Sequence, residues 1–235
     1  MASAYPGALD SFTNPASTDN LNTTGVLHDV QHSDVNDAVV AVETELGVDP
    51  KGTFATVVAR LDATPIKLAQ VVVGTATATI DFPSIPAGYE TLTLDVMGRS
   101  DLAATDAVNL LLRVNNDSSA VYDYEVIESN GASAPICGAT QSGTSWRLGG
   151  FTGPGSVGGL PAGKASMAHV VLPNYARTVF HKMMVSTPAL ATASAITLDF
   201  TAGAWRNTAA INQLTLLLSG GNFVPGTVAT LYATP

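Results

Sequence analysis

Two histidines four residues apart, His28 and His32, are the first side chains whose type and spacing could do chemistry. On a helix, residues at this spacing share one face, and two imidazoles can then reach one metal ion. A metalloprotease helix would carry a glutamate between them, whereas the acidic neighbours here are Asp29 and Asp34. Polar layers in a coiled coil more often set its register than bind zinc. We therefore expect a structural polar layer, with an anion or water site and a metal site as the alternatives.

A second group of side chains could supply oxygen ligands to calcium: Asn115, Asn116 and Asp117, followed by Asp123 and Glu125. Their spacing lacks the ordered alternation of a calcium loop, and consecutive Asn and Asp residues are what a tight hairpin turn requires. Asp123 and Glu125 also share one strand face, as glycosidase carboxylates could, but a glycosidase needs a cleft. We expect a turn and a solvated charge pair.

Catalytic patterns are not apparent elsewhere in the sequence. His169 and His181 have no nucleophile at motif spacing, and the Ser142–Ser145 stretch lacks the strand, elbow and helix of a hydrolase. The single cysteine, Cys137, excludes an internal disulfide framework and a thiolate metal cluster. We expect no enzyme, no cofactor and no metal.

Four aromatic residues are candidates for an exposed surface that could stack on sugar rings. They are Trp146, Tyr122, Tyr124 and Trp205. The alternative is that they lie in the core or at a subunit interface, and the sparse aromatic content of 6% argues against a dedicated carbohydrate platform.

The two histidines belong to a predicted helix from Leu27 to Leu46, with Gly47 as its C-terminal stop. Steps of four and three residues alternate along one series, which is typical of a left-handed coiled coil. Its members are His28, His32, Val35, Val39, Val42 and Leu46. One chain cannot bury this seam alone. Residues 27–65 are therefore predicted to be an oligomerisation segment, with a second short helix, Phe54 to Asp62, capped by Thr53.

Residues 1–26 are rich in Pro, Ser, Thr, Asn and Gly, with isolated apolar residues that include Tyr5, Leu9 and Phe12. Such a segment buries too little apolar surface to fold alone, but spaced anchors suit an extended arm that docks in a neighbour's groove. The alternative is an unattached tail.

Residues 66–235 alternate short apolar runs with turn residues, which predicts an antiparallel β-sandwich, most plausibly a jelly roll. Gly149 to Gly159 is predicted to be a long loop at one end of it. The predicted strands are Lys67–Val73, Ala76–Phe82, Thr91–Met97, Val108–Val114, Val121–Ile127, Ser145–Leu148, Met167–Leu172, Thr178–Val185, Ala195–Phe200, Ile211–Leu218 and Thr227–Tyr232.

Charge and hydropathy limit the kinds of partner that this chain can bind. The net charge is −9, and nine acids against two bases before Pro65 place −7 of it in that part of the chain. Nucleic acid is a poor partner because no Lys/Arg patch is available to neutralise phosphates. Neither a membrane span nor a signal sequence is apparent, so we expect assembly in a cytoplasm.

Two sets of short motifs stand out in the chain. The first comprises Tyr5-Pro6-Gly7-Ala8-Leu9-Asp10-Ser11-Phe12, then His28-x-x-x-His32-x-x-x-Asn36-Asp37-Ala38 and Leu46-Gly47-Val48. The second comprises Ile85-Pro86-Ala87-Gly88-Tyr89, Arg113-Val114-Asn115-Asn116-Asp117, and Leu218-Ser219-Gly220-Gly221-Asn222-Phe223 with Leu231-Tyr232. In these motifs the chain resembles virion proteins of tailed bacteriophages.

The resemblance implies a homotrimer attached to a phage particle by its N-terminal part and displaying a β domain. The expected location is the virion surface, with assembly in the host cytoplasm, and the expected partners are major capsid or tail proteins. A head decoration or fibre protein and a tail protein both fit. A tail-associated module that binds a host cell-envelope glycan is the second hypothesis.

Overall fold

A computed structural model describes residues 16, 18–23, 27–103, 105–129, 134–154, 163–192 and 195–235. The chain divides into two compact units, Met1–Asp62 and Ala63–Pro235. The predicted docking residues Tyr5, Leu9 and Phe12 lie outside the described residues.

The first unit contains two helices, α1 (His28–Leu46) and α2 (Val57–Asp62). α1 ends at Gly47, whose backbone N–H donates to the Glu43 carbonyl. α2 begins later than predicted, because the Thr56 hydroxyl, rather than that of Thr53, accepts the backbone N–H of Ala59 at 3.0 Å.

The second unit is mainly β, as predicted, and its strands form two antiparallel sheets. The larger sheet has the order β1-β12-β3-β8-β9-β10-β5-β6 and the smaller the order β2-β11-β4-β7. The bounds are β1 Ile66–Val72, β2 Thr79–Phe82, β3 Thr91–Gly98, β4 Ala107–Val114, β5 Tyr122–Ser129, β6 Ile136–Gly143, β7 Trp146–Thr152, β8 Ser166–Pro173, β9 Lys182–Ala191, β10 Ile196–Trp205, β11 Leu214–Leu218 and β12 Val228–Thr234.

Eight of these strands have jelly-roll connectivity. In chain order, β1, β2, β3, β4, β7, β8, β11 and β12 pair as β1-β12-β3-β8 in one sheet and β2-β11-β4-β7 in the other, which is a double Greek key. The other four strands enter as two hairpins, β5–β6 after β4 and β9–β10 after β8. Because β9 pairs with β8 and β10 pairs with β5, both hairpins extend the larger sheet at the same edge.

The core follows from the period-two pattern of the strands. In β3, Leu92, Leu94 and Val96 are buried and the residues between them are half-buried or exposed, as a sheet with one face on the core requires. Leu110, Leu112 and Val114 of β4 face them from the smaller sheet. The interior is therefore the space between the two sheets.

The prediction of a loop from Gly149 was wrong for residues 149–152, which are buried in β7. A side chain at Gly149 would meet the Pro188 ring at 2.1 Å, and one at Gly150 would meet Leu190 Cδ2 at 2.1 Å. Here the glycines allow β7 to lie close to β9, a use that composition alone does not separate from loop flexibility.

Candidate functional site

The predicted seam of α1 is exposed on this chain. Val35, Val39, Val42 and Leu46 keep 40–50% of their surface accessible, and α1 contains no buried residue. The half-buried positions follow a neighbouring stripe of the helix, which includes Ala38 and Ala41. The seam therefore offers four apolar side chains along one face, a surface suited to packing against other helices.

His28 and His32 lie together at the first turns of the same helix. Their ring centroids are 4.3 Å apart with planes at 78°, an edge-to-face contact. No cluster of three or more His, Cys, Asp or Glu side chains that could hold a metal occurs among the described residues. The pair therefore presents two imidazole rings in contact on one face of the helix.

The Asn115–Asn116 segment is a turn. Both residues have positive φ, 51° and 55°, and the Asp117 N–H donates to the Val114 carbonyl at 2.8 Å, which is the geometry of a type I′ turn. The Asn115 side chain also bonds the backbone of Ala210 and Asn212. These side chains fasten the turn to the segment before β11, so their amide groups are already used structurally.

The carboxylates of β5 are also engaged or solvated. Asp123 forms a bidentate ion pair with Arg206 at 3.0 and 3.1 Å and accepts the Ser142 N–H, whereas Glu125 is exposed. The depression beside them is shallow, about 280 Å³. Asp123 therefore serves as an ion-pair partner that holds β5 to the end of β10.

Three of the four candidate sugar-stacking aromatics are buried, so they do not form that surface. Tyr122, Trp146 and Trp205 are at most 1% exposed, and Trp205 Nε1 donates to Asp117 Oδ2 at 2.9 Å. Tyr122 accepts the Val114 N–H at 3.0 Å, and burial raises the pKa of its phenol to about 12. Tyr124 is half-buried and packs against the core.

A charged cluster that the sequence did not reveal links the added strands to the smaller sheet; the side chain of Asp199 is 1% exposed and that of Glu128 is 35% exposed. Arg147 of β7 contacts Glu128 of β5 at 2.9 Å and Asp199 of β10 at 3.6 Å, and Gly150 N–H donates to Asp199 Oδ2 at 2.6 Å. Asp199 Oδ1, Arg147 Nε and Trp146 Nε1 have no hydrogen-bond partner among the described residues. Burial raises the pKa of Asp199 above 3.8 and Glu128 raises it further, while Gly150 and Arg147 oppose the shift.

The raised pKa of Asp199 has a defined consequence for stability. The folded protein binds the proton more tightly than the unfolded chain, so the contribution of Asp199 to the free energy of unfolding increases as the pH falls through its raised pKa towards 3.8. We expect the stability of the wild type relative to Asp199→Asn to rise over that window in denaturant titrations.

Asp117 provides the control of opposite sign, because its hydrogen bond from Ser119 lowers its pKa below 3.8. The stability of the wild type relative to Asp117→Asn should therefore fall as the pH drops through this region. Parallel curves for the two variants would contradict the assignment.

The loop between β8 and β9 carries a small cavity and the most exposed aromatic side chain of the second unit. Phe180 is 79% and Val179 73% exposed. Lys182, 2% exposed, holds the loop by donating to the carbonyls of Arg177, Phe180 and Thr208, and burial lowers its pKa. The cavity, about 450 Å³, is lined by Pro173, Asn174, Arg177, Val179, Phe180, His181 and Met183.

The two histidines of the second unit differ in setting. His169 contacts Asp95 on the outer face of the larger sheet, with 2.6 Å between Nδ1 and Oδ1, and both side chains are nearly half exposed. His181 lines the cavity beside Phe180. Neither has a serine or cysteine nucleophile among its hydrogen-bond partners in the described part of the chain.

Comparison of the chain with protein-family models, curated proteins and solved structures gave no match. Neither helix of the described residues has the length and apolar character needed to cross a membrane.

Proposed function

We propose that this chain is a structural component of a tailed-bacteriophage virion, a homotrimeric decoration or fibre protein on the particle surface. Its N-terminal arm, with Tyr5, Leu9 and Phe12, docks on a major capsid or tail protein, and α1 joins the three copies. The jelly roll is the displayed part. Assembly takes place in the host cytoplasm and involves no catalytic step, cofactor, nucleic acid or membrane.

The observation that carries this proposal is the exposed seam of α1. A helix of 19 residues with no buried side chain gains little stability from its own chain, because short helices in water are marginal without packing. Packing Val35, Val39, Val42 and Leu46 against the same residues of two other copies removes these side chains from water. The seam thus has the form of an association surface.

Two experiments test the proposal. Sedimentation of the full chain is expected to give a trimer, and an antibody against the chain is expected to label the surface of intact particles. The position of the label, head or tail, then assigns the partner as a capsid or a tail protein. Particles that carry no label, or a monomeric full chain, would contradict it.

The second candidate, a tail-associated module that binds host cell-envelope glycan, is favoured by the cavity beside Phe180. Its lining combines an exposed aromatic ring with the side chains of Arg177, His181 and Asn174, and such a combination can stack on a sugar and bind its hydroxyls. The full chain should then bind host cell walls, and Phe180→Ser should abolish that binding while leaving the trimer intact. Binding to empty particles alone would favour the decoration role.

A further inference from the structure

The outer face of the larger sheet carries a continuous line of apolar side chains, which we term the outer apolar row. It takes one residue from each of six adjacent strands, and the strand register places each beside the next. In order across the sheet these are Val72, Val228, Met97, Met167, Ala189 and Leu198.

The larger members of this row are open to solvent on this chain. Val72, Met97, Met167 and Leu198 are 53–63% exposed. Beyond the row, the exposed Phe200 of β10 stands directly beside Ile127 of β5 on the same face. The apolar surface therefore continues onto the added hairpins.

The outer face of the smaller sheet is different. Among its described strand residues no large apolar side chain is left exposed: Leu111 and Leu217 are half-buried, and Thr79, Asp81 and Asn109 are polar. A solvated antiparallel sheet normally leaves few large apolar side chains exposed on its outer face. The contrast between the two outer faces indicates that the outer face of the larger sheet, and not that of the smaller one, is suited to contact with another protein surface.

The row also limits the chemistry of what covers it. It contains no charged residue, and the Asp95–His169 pair beside it is already joined at 2.6 Å. A partner that recognises charge would find little to bind here, whereas an apolar protein surface would gain from burial. Eight strands spaced about 4.8 Å apart and roughly 25 Å long present on the order of 850 Å², close to the area of about 800 Å² that each partner buries in a stable interface.

We propose that the outer apolar row is covered by a neighbouring copy of this chain in the homotrimer, and this inference rests on the trimer of the proposed function. Copies joined through α1 stay near one another at an effective concentration in the millimolar range for short connections. The segment from the end of α1 to the start of β1, residues 47–65, is short in this sense. The outer face of the larger sheet, which carries the outer apolar row, is then in reach of a neighbouring copy.

Methionine oxidation measures whether the outer apolar row is covered, because Met97 and Met167 belong to the row and Met184 is buried inside the sandwich. The full-chain trimer is treated with dilute hydrogen peroxide and the oxidation of each methionine is followed by mass spectrometry, with the monomeric fraction of Val39→Asp as the unassembled reference. We expect Met97 and Met167 to oxidise at least about tenfold more slowly in the trimer, since sulfoxide formation follows exposure. Met184 should remain slow in both proteins and so reports an intact fold.

A substitution pair provides the second measurement. Leu198→Lys places a charge in the row at a position exposed in the single chain, and Thr79→Lys places one on the outer face of the smaller sheet. We expect the trimer dissociation concentration to rise at least about tenfold for the first and to stay unchanged for the second.

The outcomes separate the two proposals. The covered face would be overturned if Met97 and Met167 of a trimeric wild type oxidised as fast as in Val39→Asp. It would also be overturned if Leu198→Lys left the dissociation concentration of the trimer unchanged. In both cases the proposed function would still stand. A monomeric wild type would overturn both.

Discussion

Val39→Asp is expected to convert the proposed trimer to monomers or aggregates. In the proposed seam, Val39 of three copies meets at one layer, so the substitution brings three carboxylates together in an apolar environment without a cationic partner. An uncompensated buried charge costs roughly 3 kcal/mol or more per site, which corresponds to a rise in the dissociation concentration of over about a hundredfold. Sedimentation or light scattering of the full chain measures it.

Val40→Asp is the matched control. Val40 is the next residue on α1, is 60% exposed, and falls outside the alternating series of the seam. The same charge there should remain hydrated and leave the trimer intact. If Val39→Asp stays trimeric, or if both variants dissociate alike, the coiled-coil interpretation fails, together with the docking geometry that depends on it.

Gly149→Ala is expected to lower the stability of the β domain substantially. Gly149 has φ of 148°, which an L side chain rarely adopts, and an added Cβ would lie 2.1 Å from the Pro188 ring. The proline ring cannot rotate away, and Pro188 is buried in β9. Strain and overpacking of this kind cost on the order of 2–4 kcal/mol together, measured as the free energy of unfolding in denaturant.

Gly88→Ala is the control for this prediction. A Cβ at Gly88 meets no atom within 4 Å, so the change should alter the free energy of unfolding by less than about 0.5 kcal/mol. Equal effects of the two alanines would show that β7 does not pack on β9 as closely as described.

Much of the fold could be predicted from local sequence patterns. The alternation in Thr91–Met97 and Val108–Val114 predicted strands that the structure places within one residue or at the same end, as β3 and β4. α1 begins one residue after the predicted Leu27 and ends at the predicted Leu46. In each case one face of the element is apolar and the other polar, so periodicity within a short window is sufficient.

Elements whose character depends on distant residues were not predictable in this way. β6 was missed because it reads Ile-Cys-Gly-Ala-Thr-Gln-Ser-Gly, a sequence without alternation at the open edge of the larger sheet. β9 begins at Lys182, not Thr178, because the loop before it is held by a buried ammonium group. Both depend on contacts made after the chain has folded.

The candidate functional surfaces also differ in whether they could be predicted from the sequence. The α1 seam is local and was found from spacing, although its role as an oligomer contact stays a prediction. The Arg147–Asp199–Glu128 cluster brings together residues from three strands, and the outer apolar row gathers residues from six. No window of the sequence contains either set, since strand register across a jelly roll joins positions more than a hundred residues apart.

The two added hairpins bear on how this scaffold could diversify. β5–β6 is inserted between β4 and β7, which pair with each other, and β9–β10 between β8 and β11, which pair with other strands of the jelly roll, β8 with β3 and β11 with β2 and β4. Length and composition at this edge can therefore change while the eight-strand framework keeps its connections. Arg147 sets a limit to such changes, because a replacement for either hairpin must still offer it a carboxylate partner. The strand pairing of the eight-strand framework therefore does not depend on either hairpin.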